Sequence, residues 1–378
     1  MKVICDRTAL LDSVNLVSSV VATRSPRPQL MCILLTAEKK AGNLTLAATD
    51  GEISIRLATS QVDVHEDGQT LIPADKLRQI VSAQDNEPTL TLESDGEATH
   101  IRGQDAHFKV YGYPAADFPD LPDMPKEGES FTVGADTLEE LIDRTIFSTA
   151  RENSRYAING VLLHREGKKI QMVATDGRRL AVARANAGEA PESESNCIIP
   201  SKALNTARKL VATSGDVRCA VTSSQIVFQF DDGEGEGGGA VLSSNLVEGT
   251  FPPYEDVIPK DQDKKATFNV DALGSAVRRA ALLTNEESRG VRMAFGKDTQ
   301  ELKLSSRAPE MGEAEINVGM DAYDGDDIEI GFNPAFITDA LKIMDSEQVI
   351  LEMKAPNRPG LIKSGSDFVY VVMPVNLQ

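Results

Sequence analysis

The chain has 378 residues, 41% hydrophobic and 26% charged, which is ordinary globular composition with length for two or three domains. Its 58 Asp and Glu against 39 Lys and Arg give a formal charge of −19, which excludes a uniformly basic nucleic-acid binder and confines any contact with an anionic polymer to a local basic surface. No apolar run approaches the roughly 20 residues of a membrane helix, and the opening MKVICDRTALLD lacks the regions of a signal peptide, so a soluble, unsecreted protein is expected.

In chain order, the hydrophobic periodicity predicts a helix over 7–21, a strand LTLAATD ending in the turn Asp50-Gly51, and a helix over 74–84 opened by Ile72-Pro73. The strands TLTLES and KVYGY follow, then a Pro-rich charged crossing, FPDLPDMPKEGES. The pattern restarts with a helix over 136–149, the strand IQMVATD with the turn Asp176-Gly177, a helix over 201–211 opened by Ile199-Pro200, and the strand IVFQF. A second crossing, FPPYEDVIPKDQDKK, leads to a helix over 271–284, the strand LKLSS, a helix over 334–344, and the strands VILEM and FVYVVM.

These restarts are an internal repeat. Ala-Thr-Asp-Gly recurs 126 residues apart, the Ile-Pro helix opening 127 apart, and FNPAFITDALKIM follows the second opening by another 133. Leu10, Leu138 and Leu273 hold equivalent places in the first helix of each copy. Domains are therefore expected over 1–122, 130–254 and 256–378. Helices separated by runs of hairpins argue an α+β fold, with two helices packed on an antiparallel sheet in each domain.

Catalytic signatures are missing. Cys5, Cys32, Cys197 and Cys219 form no C-x-x-C pair and read as buried small hydrophobes, and the four histidines (His65, His100, His107, His164) show no ligand spacing for zinc. Neither a phosphate-cradling G-x-x-x-x-G-K-[ST] nor G-x-S-x-G occurs. The literal G-x-G-x-x-G from Gly233 to Gly238 sits among acids with no helix pattern after it, so a flexible hairpin is expected. MDAYDGDDIE, from Met320 to Glu329, fails the calcium-loop spacing and reads as a solvated turn between strands. A hydrolase using Asp50 and Asp176 would need both in one cleft, whereas the repeat puts them in equivalent places of different domains, and D-G between alternating runs is a turn signal. No catalytic residue, metal or cofactor is expected.

In SKALNTARKLV, Leu204, Ala207, Leu210 and Val211 share one helix face, while Lys202, Asn205, Arg208 and Lys209 share the other. In the later helix Leu273, Val277 and Ala280 face the core and Arg278 and Arg279 face away. The six helix spans together carry +2 and the remainder −21. Two accounts fit: helical polar faces are commonly rich in Lys and Arg, or these faces turn toward a polyanion.

The threefold α+β repeat, with VATDGRRLAV, FPPYEDVIP, LLTNEESRGVR and the ending YVVMPVNLQ, resembles the bacterial sliding-clamp family, the beta subunit of DNA polymerase III. The likeness covers essentially the full chain. It implies a non-catalytic processivity factor in the bacterial cytoplasm, associated with the nucleoid. Its form would be a head-to-tail homodimer closed as a six-domain ring around duplex DNA, helices inward, opened by an ATP-driven clamp loader. It also implies a groove for short linear motifs of polymerase, loader and repair proteins. The positions carried over are Ile158, Thr175, Gly177, Arg178, Arg179, Leu180, Pro252, Val257, Asn333, Phe336, Val371, Met373, Pro374, Val375, Asn376 and Leu377. Arg178 stands where His is frequent, Asp256 where some members have Arg, and Asn376 where Arg is frequent. For DNA the resemblance gives Arg24, Lys202 and Lys209, although two other matching positions hold Asp75 and Glu152. Helix geometry adds Arg155, Arg208, Arg278 and Arg279.

Leu282 lies nine residues past Leu273, about half a turn in azimuth, and so points away from its own core. The resemblance implies that Leu282 and Leu283 meet the edge of the other subunit's first domain near Phe108 and Val110. The rival reading is a repeat-built peptide-binding scaffold that does not encircle DNA.

Overall fold

A computed structural model of the chain describes residues 1–125, 130–150, 158–192, 194–211, 215–231, 239–284, 290–309 and 311–376. All six expected helices form: α1 (Arg7–Ser18), α2 (Ala74–Ala83), α3 (Ala135–Asp143), α4 (Ser201–Val211), α5 (Val270–Ala280) and α6 (Pro334–Leu341). Three start at a side-chain cap, which gives an otherwise orphaned amide an acceptor. Asp6 accepts from the Ala9 N–H at 2.9 Å, Asn269 from Ala272 at 3.0 Å and Asn333 from Ala335 at 3.0 Å. α2 and α4 follow Pro73 and Pro200, whose rings fix the entry φ.

Four helices are shorter than the periodicity predicts: α1 and α6 each end three residues early, at Ser18 and Leu341, and α3 and α5 fall further short. α3 stops at Asp143 because the Thr145 hydroxyl donates to the Leu141 carbonyl at 2.7 Å, and a separate 3-10 turn, Ile146–Ser148, follows. α5 tightens after Ala280 into a 3-10 turn over Ala281–Leu283. Faces fall as the spacing requires: Leu204, Ala207, Leu210, Val211, Leu273, Val277 and Ala280 are buried, while Lys202, Asn205, Arg208, Lys209, Arg278 and Arg279 are exposed.

The chain packs as two compact units, residues 1–139, 166–168 and 186–246 in one and 140–165, 169–185 and 247–378 in the other. In the first, a five-stranded antiparallel sheet runs in the order Val62–Glu66, Lys2–Asp6, Thr89–Asp95, Ala98–Arg102, His107–Tyr111. A second sheet runs Ser130–Gly134, Asp216–Val221, Gln225–Phe230, Gly239–Asn245, Ile53–Thr59, Asn43–Thr49, Cys32–Glu38, Gly68–Pro73. α1 packs on α2 and on Asn43–Thr49 and Ile53–Thr59, with Leu10, Val14, Val17, Leu77 and Val81 buried.

In the second unit, neighbouring strands run Gly160–Glu166, Lys169–Thr175, Arg179–Asn186, Phe368–Val372, Gly360–Ser364, Gln348–Met353, Lys264–Asn269, Ala322–Asp324. A four-stranded sheet runs Gly312–Gly319, Glu301–Ala308, Val291–Gly296, Ile328–Phe332. α5 packs on α6 and on Glu301–Ala308 and Gly312–Gly319.

The repeat dictates how the sheets join. The strand after each Asp-Gly turn pairs with the last strand of the following copy, Ile55 opposite Leu242 and Ala181 opposite Tyr370. The equivalent strand in the third copy is Gly312–Gly319, and the equivalent last strand in the first copy is His107–Tyr111. Each is the outer strand of its sheet.

All four cysteines are buried and unbridged. Burial pushes the Cys5 and Cys197 thiols up to about 12 and Cys32 to about 11, and raises Cys219 too, so all stay protonated. The segment expected as a solvated acidic turn holds the short strand Ala322–Asp324 and bends to either side. The expected hairpin from Gly233 to Gly238 lies outside the described residues.

Candidate functional site

The site grows from the Asp176-Gly177 turn. Gly177 takes φ +84°, which side-chain-bearing residues rarely adopt. Asp176 Oδ1 accepts from the Arg178 and Arg179 amides at 2.9 and 3.1 Å, and Thr175 Oγ1 donates to the Arg179 carbonyl at 2.7 Å while accepting from the Gly177 amide at 3.1 Å. The first copy repeats this: Asp50 Oδ1 accepts from the Glu52 and Ile53 amides at 2.9 and 2.8 Å. Both aspartates are turn-forming residues.

The copies then diverge. The residue 126 before Arg179 is the buried Ile53, so in the first copy the second Asp oxygen, Asp50 Oδ2, instead takes Lys202 from α4. Burial by itself would raise the Asp50 carboxyl, but hydrogen bonds from Lys202 and the Ile53 and Glu52 amides outweigh it and hold the group below the usual carboxylate range.

Arg179 occupies the centre of the second-unit site. Its Nε donates to Asp176 Oδ2 at 3.0 Å, Nη1 to Asp339 Oδ2 of α6 at 2.9 Å, and Nη2 to the Phe147 carbonyl at 2.6 Å. The guanidinium lies 4.5 Å from the Phe336 ring centroid and 5.5 Å from that of Phe147. Burial opposes its charge, but the Asp339 hydrogen bond, with help from Tyr370 and Asp176, raises its pKa, so it is a fixed cation.

Beside Arg179 lies a cavity of about 210 Å³. Of the expected positions, Ile158, Thr175, Gly177, Arg179, Leu180, Pro252, Val257, Val371 and Met373 line it. Ile158, Leu180 and Val371 are buried, whereas Val257 and Met373 are 50% and 42% exposed, apolar side chains held at the mouth. The space is smaller than the roughly 300–1,000 Å³ of whole-ligand pockets and suits one or two apolar side chains.

Six of the other seven expected residues are described and fall outside that wall. Phe336 lies beneath Arg179 and its carbonyl accepts from the Tyr370 hydroxyl at 3.0 Å. Asn333 is turned to its helix cap, and Arg178 is exposed, with its carbonyl accepting from the Met373 amide at 2.9 Å. Pro374, Val375 and Asn376 run on past the last strand, the Val375 amide bonded to the Gly331 carbonyl at 2.9 Å. Leu377 lies outside the described residues.

Two lining residues were not expected, Pro253 and Tyr254. Tyr254 is pinned by Gln171 Nε2, and Gln171 Oε1 in turn accepts from Arg184 Nε at 3.0 Å. The available signal was an aromatic hydroxyl residue inside a Pro-rich crossing.

Among the DNA-facing candidates, Arg24 is exposed in the loop after α1, and Lys202, Arg208 and Lys209 share the exposed face of α4. Arg278 and Arg279 project from α5, and Arg155 lies outside the described residues. Arg208, Lys209, Arg278 and Arg279 all occupy last helical turns, where cations also offset the carbonyl dipole. Lys202 is shared with Asp50, which lowers the charge that face presents.

At the candidate subunit edge, Leu282 is 76% exposed and Leu283 packs beside Gly312. Phe108 and Val110 are half-buried on the outer strand His107–Tyr111. Among the described residues no group of three His, Cys, Asp or Glu is arranged to hold a metal, and no helix is long and apolar enough to cross a membrane.

Sequence models of the DNA polymerase III beta subunit match the chain over residues 1–122 (N-terminal domain), 132–253 (central domain) and 255–376 (C-terminal domain). The chain belongs to the DNA polymerase III beta subunit family. It is 34% identical over 380 residues to the beta sliding clamp of Escherichia coli K12, covering all of both chains, and 33% identical over 374 residues to that of Pseudomonas aeruginosa, covering 98% of each. Among solved structures, the Pseudomonas aeruginosa sliding clamp bound to griselimycin superposes with a TM-score of 0.90 at 32% identity, covering 100% of both chains. The Bacillus subtilis sliding clamp gives 0.89 at 26% identity with the same coverage. Membership makes this chain a processivity factor, a sliding clamp with no reaction of its own.

Proposed function

We propose that two copies of this chain join head to tail into a closed ring around duplex DNA, each copy built as three domains over 1–122, 130–254 and 256–378. The observation that carries this is the sheet-joining rule. Two of three equivalent joins are made within the chain, and the strands for the third, Gly312–Gly319 and His107–Tyr111, are outer strands. Unpaired edges are liabilities unless covered, and a second copy supplies both partners in the same geometry. The apolar pairs Leu282, Leu283 and Phe108, Val110 flank that seam.

A ring holds DNA by topology, so it needs weak, sequence-independent attraction to phosphates and no base-reading side chains. Arg24, Arg155, Lys202, Arg208, Lys209, Arg278 and Arg279 supply it, while the acidic remainder disfavours DNA elsewhere. The cavity beside Arg179 takes apolar side chains of short linear motifs from the replicative polymerase, the clamp loader and repair proteins. Nucleoid association follows from the ring's residence on DNA.

Solution mass tests the seam. The native chain of 40.8 kDa should scatter as a dimer, and Leu282→Asp with Leu283→Asp, which would bury unpaired carboxylates, should give folded monomers. A dimer retained by the double variant rejects the assignment of the seam.

A further inference from the structure

The groove's apolar wall says which side chains anchor a peptide; its rim bears on what flanks them. Among the described lining residues the only formal charge is on Arg179, whose side chain is 10% exposed and already gives three of its five N–H donors to Asp176, Asp339 and the Phe147 carbonyl. Charge available to a partner therefore comes from the mouth. Exposed Arg178 lies next to Met373, to which its carbonyl is bonded. Exposed Glu255 and Asp256 fall between the lining residues Tyr254 and Val257.

The acidic pair is held in place. It forms the 3-10 turn Glu255–Val257, closed by the Val257 amide on the Tyr254 carbonyl at 3.2 Å, and Tyr254 is fixed by Gln171 and packs edge-on against Phe251. Among the described residues neither acid makes an ion pair. Glu255 is near enough that its charge adds to burial in raising the Tyr254 hydroxyl.

We propose that Glu255 and Asp256 set the peptide preference of the groove, favouring extended motifs with Lys or Arg beside the apolar anchor at the Val257 end and disfavouring Asp or Glu there. The inference rests on the groove reading above. Pairs this exposed are weak and screened by salt, so about a three- to fivefold preference is the expected size.

The test uses the full-length protein and fluorescein-labelled peptides Ser-Leu-X-Leu-Phe and Ser-Leu-Ser-Leu-Phe-X, with X as Lys, Ser or Glu, titrated by anisotropy. In at least one series the Lys peptide should bind about three- to fivefold more tightly than the Glu peptide at low ionic strength, with the gap closing at high salt. The gap should also vanish in the double variant Glu255→Gln, Asp256→Asn. Equal affinities for Lys and Glu peptides, tighter binding of Glu, or a gap that survives the double variant would overturn the inference while the Ser peptides still report a working groove. Failure of the Ser peptides to bind would overturn the groove reading itself, and the inference with it.

Discussion

Arg179 ties three segments together beside the cavity, and its replacement has a calculable cost. Arg179→Ala removes three hydrogen bonds and the cation over the Phe336 ring, and leaves Asp176 and Asp339, at 19% and 31% side-chain exposure, without that partner. Breaking a fully buried pair costs about 3–5 kcal/mol. Partial exposure of the acids, and Lys342 at 3.5 Å from Asp339, reduce this to roughly 2 kcal/mol, to which lost stacking adds about 1 kcal/mol. A total of about 3 kcal/mol is more than a hundredfold in a local opening equilibrium. Hydrogen exchange read by mass spectrometry reports it, because the Met373 and Val375 amides are bonded to the Arg178 and Gly331 carbonyls beside the network. Their exchange should quicken by about two orders of magnitude in Arg179→Ala. Arg179→Lys keeps the charge but not the planar fork, so it should fall between. Exchange within twofold of the native protein in Arg179→Ala would refute the claim that this guanidinium organises the wall.

Removing residues 373–378 takes away the Met373 wall, so calorimetry should show peptide affinity falling at least tenfold, about 1.4 kcal/mol, with dimer mass unchanged; loss of the dimer would mean the tail is structural. Asp50 has a depressed folded-state pKa, so its contribution is present above the unfolded value of 3.8 and is lost as pH falls through the lower folded value. Lys202→Met should therefore lower thermal stability at neutral pH and shrink the difference from native protein in acid below that window; a deficit constant with pH would show that Asp50 and Lys202 are not linked.

The repeat was legible because its markers are local: Ala-Thr-Asp-Gly needs a glycine at positive φ, Ile-Pro fixes a helix entry, and the Leu204–Val211 spacing fixes a buried face. α3 and α5 were overextended because Thr145 back-bonding and a tightened last turn compete with the helix without disturbing apolar periodicity. Resemblance supplied nine of the cavity's lining residues. It did not supply their roles: Arg179 meets Asp339 160 positions away and Tyr254 meets Gln171 83 away, and pairings at that separation leave no trace in a local pattern. Asn333 and Phe336 were carried over as pocket residues; one caps a helix and the other lies against the guanidinium, tasks that depend on side-chain direction. Gly312–Gly319 and His107–Tyr111 each pair on one side only, and what lies beside the other edge is set by the fold and not by a local sequence pattern.

Encirclement is the central claim, and retention on DNA of differing topology tests it most directly. Protein loaded onto nicked circles by a clamp loader and ATP should persist in salt that strips electrostatic binders and should leave promptly when the circle is cut to a linear form. Phosphate attraction alone falls steeply with salt whatever the DNA topology, so equal loss from circular and linear DNA would contradict a closed ring.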